Sequence, residues 1–103
     1  MKRIINRKVY NTQTAVSIAE WDNGLGRTDF NAIEETLYKT KKGQYFLHAW
    51  GGAATCYSES YGNSSSEGQT IKLFDENEAI NWLEKKGFVD EIEEHFSDKI
   101  EEG

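Results

Sequence analysis

The chain has 103 residues, of which 37% are hydrophobic and 29% charged, and its formal net charge is -6. That length suits a single domain spanning 1–103 and leaves too little chain for a second core. The longest uncharged apolar run, 45–50, is far too short to span a bilayer, and the basic start Met1-Lys2-Arg3-Ile4-Ile5-Asn6-Arg7-Lys8 lacks the apolar segment of a signal peptide, so a cytoplasmic location without membrane contact is expected.

Charge divides the chain. Residues 75–103 carry eleven acids against Lys85, Lys86 and Lys99, a net charge of -8. Residues 1–74 carry nine basic and seven acidic side chains. An acidic surface repels nucleic acid and attracts a basic groove. There is no proline, and one cysteine, Cys56, which cannot close an intrachain disulfide.

In chain order, residues 3–10 are rich in Ile, Val and Tyr and predict a strand. Asn11-Thr12-Gln13-Thr14 predicts a turn, and 15–21 the returning strand of a hairpin. Residues 22–31 form a glycine-bounded loop carrying Leu25, Arg27 and Phe30. A second hairpin follows: strand 34–40, turn Lys41-Lys42-Gly43-Gln44, strand 45–50. Gly51-Gly52 ends it. Residues 55–59 extend a short strand, and the serine-rich stretch 62–68 reads as a mobile loop. Residues 70–74 form a last strand with Ile71 and Leu73 on one face.

The period then changes. Asp75 is suited to cap a helix, with Glu78 completing a capping box and Gly87 ending it. Ala79, Ile80 and Leu83 form its apolar stripe, with Trp82 packed against the sheet. A second helix places Val89, Ile92, Phe96 and Ile100 at helical spacing. Strands first and helices last predict an α+β fold: an antiparallel meander of four to five strands (1–74) with two acidic C-terminal helices (75–103) on one face.

Several segments together are similar to one family. They are Lys2-Arg3-Ile4-Ile5-Asn6-Arg7-Lys8-Val9-Tyr10-Asn11-Thr12, Glu20-Trp21-Asp22-Asn23-Gly24, Glu35-Thr36-Leu37-Tyr38-Lys39-Thr40-Lys41-Lys42-Gly43, Phe46-Leu47, Gly51-Gly52 and Glu78-Ala79-Ile80-Asn81-Trp82-Leu83-Glu84. Over about the whole chain they resemble small proteins carried on phages and conjugative elements of Gram-positive bacteria, a family that includes anti-CRISPR proteins against type II-A Cas9. The resemblance implies direct binding to host Cas9 and interference with assembly of the Cas9–guide RNA complex. It supplies no catalytic signature.

On this reading Glu91, Glu94, Asp98 and Glu101 would meet a groove lined with Arg and Lys, and Trp21, Phe30 and Trp50 are candidate apolar anchors. The alternative is a single-stranded nucleic-acid-binding module. Its sheet face would use Lys2, Arg3, Arg7, Lys8, Lys39, Lys41, Lys42 and Lys72 with Tyr10, Tyr38, Tyr45 and Trp50.

No cofactor is called for. His48, His95 and Cys56 lack metal-ligand spacing. His95 reads as a surface histidine beside Glu91 and Glu94. Cys56 reads as a small buried apolar residue, with a nucleophilic role through His48 the weaker reading. The adjacent carboxylates Glu34 and Glu35 point to opposite sides of a strand and form no catalytic pair. Edge strands of a short meander also allow a homodimer.

Overall fold

The computed structural model describes residues 1–101. Its centre is a four-stranded antiparallel sheet, and the strand at its heart, β5 (Tyr45–Gly51), is apolar on both faces. A strand with Tyr45, Leu47 and Ala49 pointing one way and Phe46 and Trp50 the other must be covered on both sides. β4 (Ile33–Lys39) pairs with it through Leu37↔Leu47, and β8 (Gly68–Phe74) through His48↔Ile71. β3 (Val16–Asp22) forms the outer edge beside β4, giving the order β3-β4-β5-β8. A bulge between Ser17 and Ala19 lets both Ile18 and Ala19 turn inward.

Two helices cover the first face. α1 (Glu76–Lys86) begins at Asp75, whose side chain accepts from the Glu78 backbone while the Glu78 side chain accepts from the Asp75 backbone. It stops at Gly87, held at φ 81°, a left-handed conformation that side chains resist. α2 (Val89–Phe96) follows, and a 3-10 turn (Ser97–Lys99) ends the helical part. Ala79, Trp82, Leu83, Ile92 and Phe96 pack on Leu37, Leu47 and Ala49.

The second face is covered by the N-terminus, in a way the sequence pattern does not predict. The strand expected over 3–10 is broken at Asn6 and Arg7, both at positive φ. The result is a separate hairpin of β1 (Lys2–Ile5) and β2 (Lys8–Asn11), not a strand paired with 15–21. Its Tyr10 packs edge-on against Phe46 and beside Ile71, with Met1, Ile5, Ala15 and Tyr38 around them.

Three local expectations also change. The serine-rich stretch is part of a small hairpin of β6 (Glu59–Tyr61) and β7 (Ser64–Ser66), turned at Gly62, and residues 55–58 lie in the turn before it. Leu73 shares a face with Ile71 but lies beyond the hairpin's cover and is exposed. Ile92 and Phe96 of α2 are buried, but Val89 at its first position and Ile100 beyond its end at Phe96, both expected in its apolar stripe, are exposed.

Phe46 has no exposed surface and stacks on Tyr38 at 5.1 Å between ring centroids. It joins the N-terminal hairpin to the sheet. Phe46→Ala is expected to cost about 3–5 kcal/mol in urea unfolding, against about 0.5 kcal/mol or less for Phe30→Ala.

Candidate protein-interaction surface

The acidic residues lie in the helical layer on the first face of the sheet. Glu94, Asp98 and Glu101 are exposed and Glu91 is half-buried. Because α2 stops at Phe96, the four do not form one continuous helical stripe: Glu91 and Glu94 lie on α2, Asp98 in the 3-10 turn, and Glu101 beyond it. Glu94 lies 4.0 Å from His95, and Glu76 lies 3.5 Å from Lys99. Glu91, Asp98 and Glu101 meet no cation among the described residues.

The three aromatic candidates separate. Trp50 is only 5% exposed and is not an available anchor. The Arg27 guanidinium lies 4.7 Å from its ring centroid and is held there by two hydrogen bonds to Glu34, at 2.9 and 3.0 Å. This lid comes from the 22–32 loop, and only the register Glu34↔Trp50 brings its parts together. Trp21 is half-buried against the helical core, with Lys86 Nζ 3.4 Å from its ring centroid. Phe30 alone is free, at 71% exposure.

The Phe30 backbone is nonetheless fixed. Its carbonyl accepts from Ala54 N at 2.8 Å, and Gly52 N donates to Ala32 O at 2.9 Å. Asn31 N donates to the Asp29 carboxylate at 2.8 Å, and Asn23 Nδ2 to Asn31 O at 2.9 Å. Gly52 is required here, since a Cβ on it would stand 2.6 Å from the Phe30 carbonyl. An apolar ring on a pre-formed loop loses little conformational freedom when a partner covers it.

The helix-facing side of the sheet, opposite the face where Arg27 covers Trp50, holds a polar cluster that the sequence pattern does not announce. Glu35, on the helix-facing side of β4, accepts from Tyr57 Oη at 2.6 Å and from Trp82 Nε1 at 2.9 Å. Lys86 Nζ lies 3.7 Å from the same carboxylate, and Lys72 Nζ lies 5.0 Å from the Tyr57 ring centroid. Burial by itself pushes the Glu35 carboxyl up, but the two hydrogen bonds and the charges of Lys86 and Lys72 outweigh it and hold its pKa below the usual value. Burial, then the bond to Glu35, pushes the Tyr57 phenol up. The signal for Glu35 was its phase: two residues before Leu37, it faces the core. Glu34 points the other way, as expected for neighbours on a strand.

The remaining chemical candidates stay apart. Cys56 is exposed, not buried, because 53–58 forms a surface turn instead of a strand. His48 bonds Gln69 at 2.8 Å on the far face of the sheet. Among the described residues no group of three or more His, Cys, Asp or Glu could hold a metal ion, and no helix is long and apolar enough to cross a membrane. Tyr10 and Trp50, wanted for base stacking, are buried, Tyr38 stacks on Phe46, and Tyr45 packs on Phe96. Compared with known proteins, the chain matches no family model, no curated protein and no solved structure.

Glu35→Ala, which leaves the Tyr57 hydroxyl and Trp82 indole without an acceptor, is expected to cost about 1–3 kcal/mol. The pH dependence has a fixed sign. A carboxyl whose pKa is depressed by folding stabilises above its unfolded value, near 4.5, and loses that contribution as the pH falls through the folded value. The melting-temperature gap between wild type and Glu35→Gln should therefore be widest near about pH 7 and narrow towards about pH 3.

Proposed function

We propose that this chain is a binding protein, not an enzyme: an anti-CRISPR protein of a mobile element that docks on host Cas9 in the bacterial cytoplasm and hinders guide RNA loading. The observation that supports an acidic docking face is the segregation of charge. Asp98 and Glu101 are exposed and Glu91 is half-buried in the helical part; all three lie close in sequence to Glu94 and Asp90, and none of them meets a cation among the described residues. Such a face steers towards a surface rich in Arg and Lys and competes there with another polyanion. The resemblance to anti-CRISPR proteins names the partner as Cas9, whose RNA-binding channel is a surface of that kind.

Phe30, on the loop whose Arg27 covers the sheet face opposite the helices, supplies a second, apolar contact separate from the acidic one. Exposed ion pairs add little affinity, so a buried aromatic anchor is needed for slow dissociation. Trp21 and Trp50 have no part in this contact. The alternative of single-stranded nucleic acid stacking on the sheet face is disfavoured, because the aromatic residues it requires are packed inward.

The test is a pull-down of the purified protein with free Cas9 and with Cas9 preloaded with guide RNA, at low and high salt. Capture of free Cas9 only, weakened by salt, is the expected result. Reversing Glu91, Glu94, Asp98 and Glu101 together to Lys should lower affinity at least about tenfold, and Phe30→Ala should accelerate dissociation. Capture unchanged by the charge reversal would reject the acidic face. Capture of neither form would reject Cas9 as the partner.

A further inference from the structure

The turn between β1 and β2 is made of two left-handed residues, Asn6 at φ 52° and Arg7 at φ 65°. Asparagine tolerates that conformation, but the second position of such a turn favours glycine. An arginine there carries backbone strain that glycine would relieve, and strain of this kind marks positions where a side chain is used.

The side chain has company. Arg7, Lys8, Val9, Tyr10, Asn11 and Thr14 line one side of a groove of about 340 Å³, and Thr40, Lys41, Lys42 and Gln44 line the other. Two turns from different sheets thus bring four cations together, with no carboxylate in the lining. All four are exposed, and none pairs with an acid among the described residues. Amide and hydroxyl groups of Asn11, Thr14, Thr40 and Gln44 complete the lining.

We propose that this groove binds the phosphate backbone of single-stranded nucleic acid. A flexible strand can bring successive phosphates to one short groove, where Arg offers a two-pronged donor and the lysines offer point charges. The acidic helices do not forbid this. They pack on the opposite face of the sheet from the β1–β2 hairpin, and charges more than about 10 Å apart are largely screened at ordinary salt. The only aromatic ring in the groove, Tyr10, is buried. Bases therefore gain no stacking platform, and binding should be sequence-independent, with Kd of about 10⁻⁴ to 10⁻⁶ M. The groove's four cations and Tyr10 belong to the set named for the single-stranded nucleic-acid alternative, but here the turns supply phosphate contacts without the base stacking that alternative required, and the site does not rest on Cas9 as partner.

The experiment is fluorescence anisotropy with a labelled single strand of about 12 nucleotides, a length of the order of one binding site. Binding should weaken with salt along a logarithmic slope no steeper than about -3, four contacts at most. Lys41→Glu with Lys42→Glu, both on an exposed turn, should abolish it. Arg7→Gly should weaken binding several-fold while raising the melting temperature, a combination that loss of folding cannot produce. No binding at low salt would overturn the proposal, as would binding retained in the double lysine variant or full affinity in Arg7→Gly. Displacement of the strand by polyglutamate as readily as by unlabelled nucleic acid would also overturn it, in favour of an acidic protein ligand. The acidic helix positions are untouched in these variants, so failure here leaves the Cas9 reading standing, and the converse holds.

Discussion

The position of the helical layer depends on one largely covered carboxylate. Glu35 sits among apolar neighbours on the covered face of β4, where an unpaired charge would be strongly destabilising. It is tolerated because Tyr57, Trp82 and Lys86 converge on it, and each comes from a different part of the chain than β4. Tyr57 fixes the turn after β5, while Trp82 and Lys86 fix α1. Apolar packing of Leu83 and Phe96 supplies most of the adhesion between helices and sheet, but it is not directional. The hydrogen bonds to Glu35 set where α1 lies, and α2 follows from α1 through the short link at Gly87 and Phe88. The direction in which the acidic residues face is thus fixed from below.

Lys86 connects this cluster to the surface. Its ammonium lies over Trp21 and near Glu35, so one side chain closes the edge of the core beside β3 and balances the carboxylate charge. Arg27 does similar work on the other face, lying over Trp50 and gripping Glu34. Trp50 and Trp21 each lie beneath a cation whose partner is a β4 glutamate. Phe30 has no such cover, and of the three aromatic candidates Trp21, Phe30 and Trp50 it is the one left exposed.

Much of the architecture was legible because its signals are local. The β4–β5 hairpin showed in two apolar runs around Lys41-Lys42-Gly43-Gln44, and α1 in its capping box and in Gly87. Trp82 was rightly read as core. What could not be read depended on pairing across distance. The turn at Asn6-Arg7 lacks the glycine that usually announces it, so β1 and β2 merged into one strand. Trp50 looked exposed because its lid lies more than twenty residues away. Cys56 looked buried because the turn around it has no distinctive sequence. Glu35 lay hidden in a run of polar residues whose alternation, counted from Leu37, assigns it to the core side. Of the candidate contacts, the acidic positions and Phe30 were visible from charge and glycine spacing, while the basic groove needed the fold to bring two turns together.

The two faces of the sheet therefore carry opposite characters, acidic on the helices and basic at the N-terminal hairpin, and the central functional claim concerns the first. Hydrogen exchange of this protein alone and bound to guide-free Cas9 tests it most directly, because it reports the footprint without altering any residue. The account predicts slowed exchange through 89–101 and around Phe30, with the β1–β2 hairpin unchanged. Protection confined to β1, β2 and the 40–43 turn, or none at all under conditions of full mixing, would contradict it.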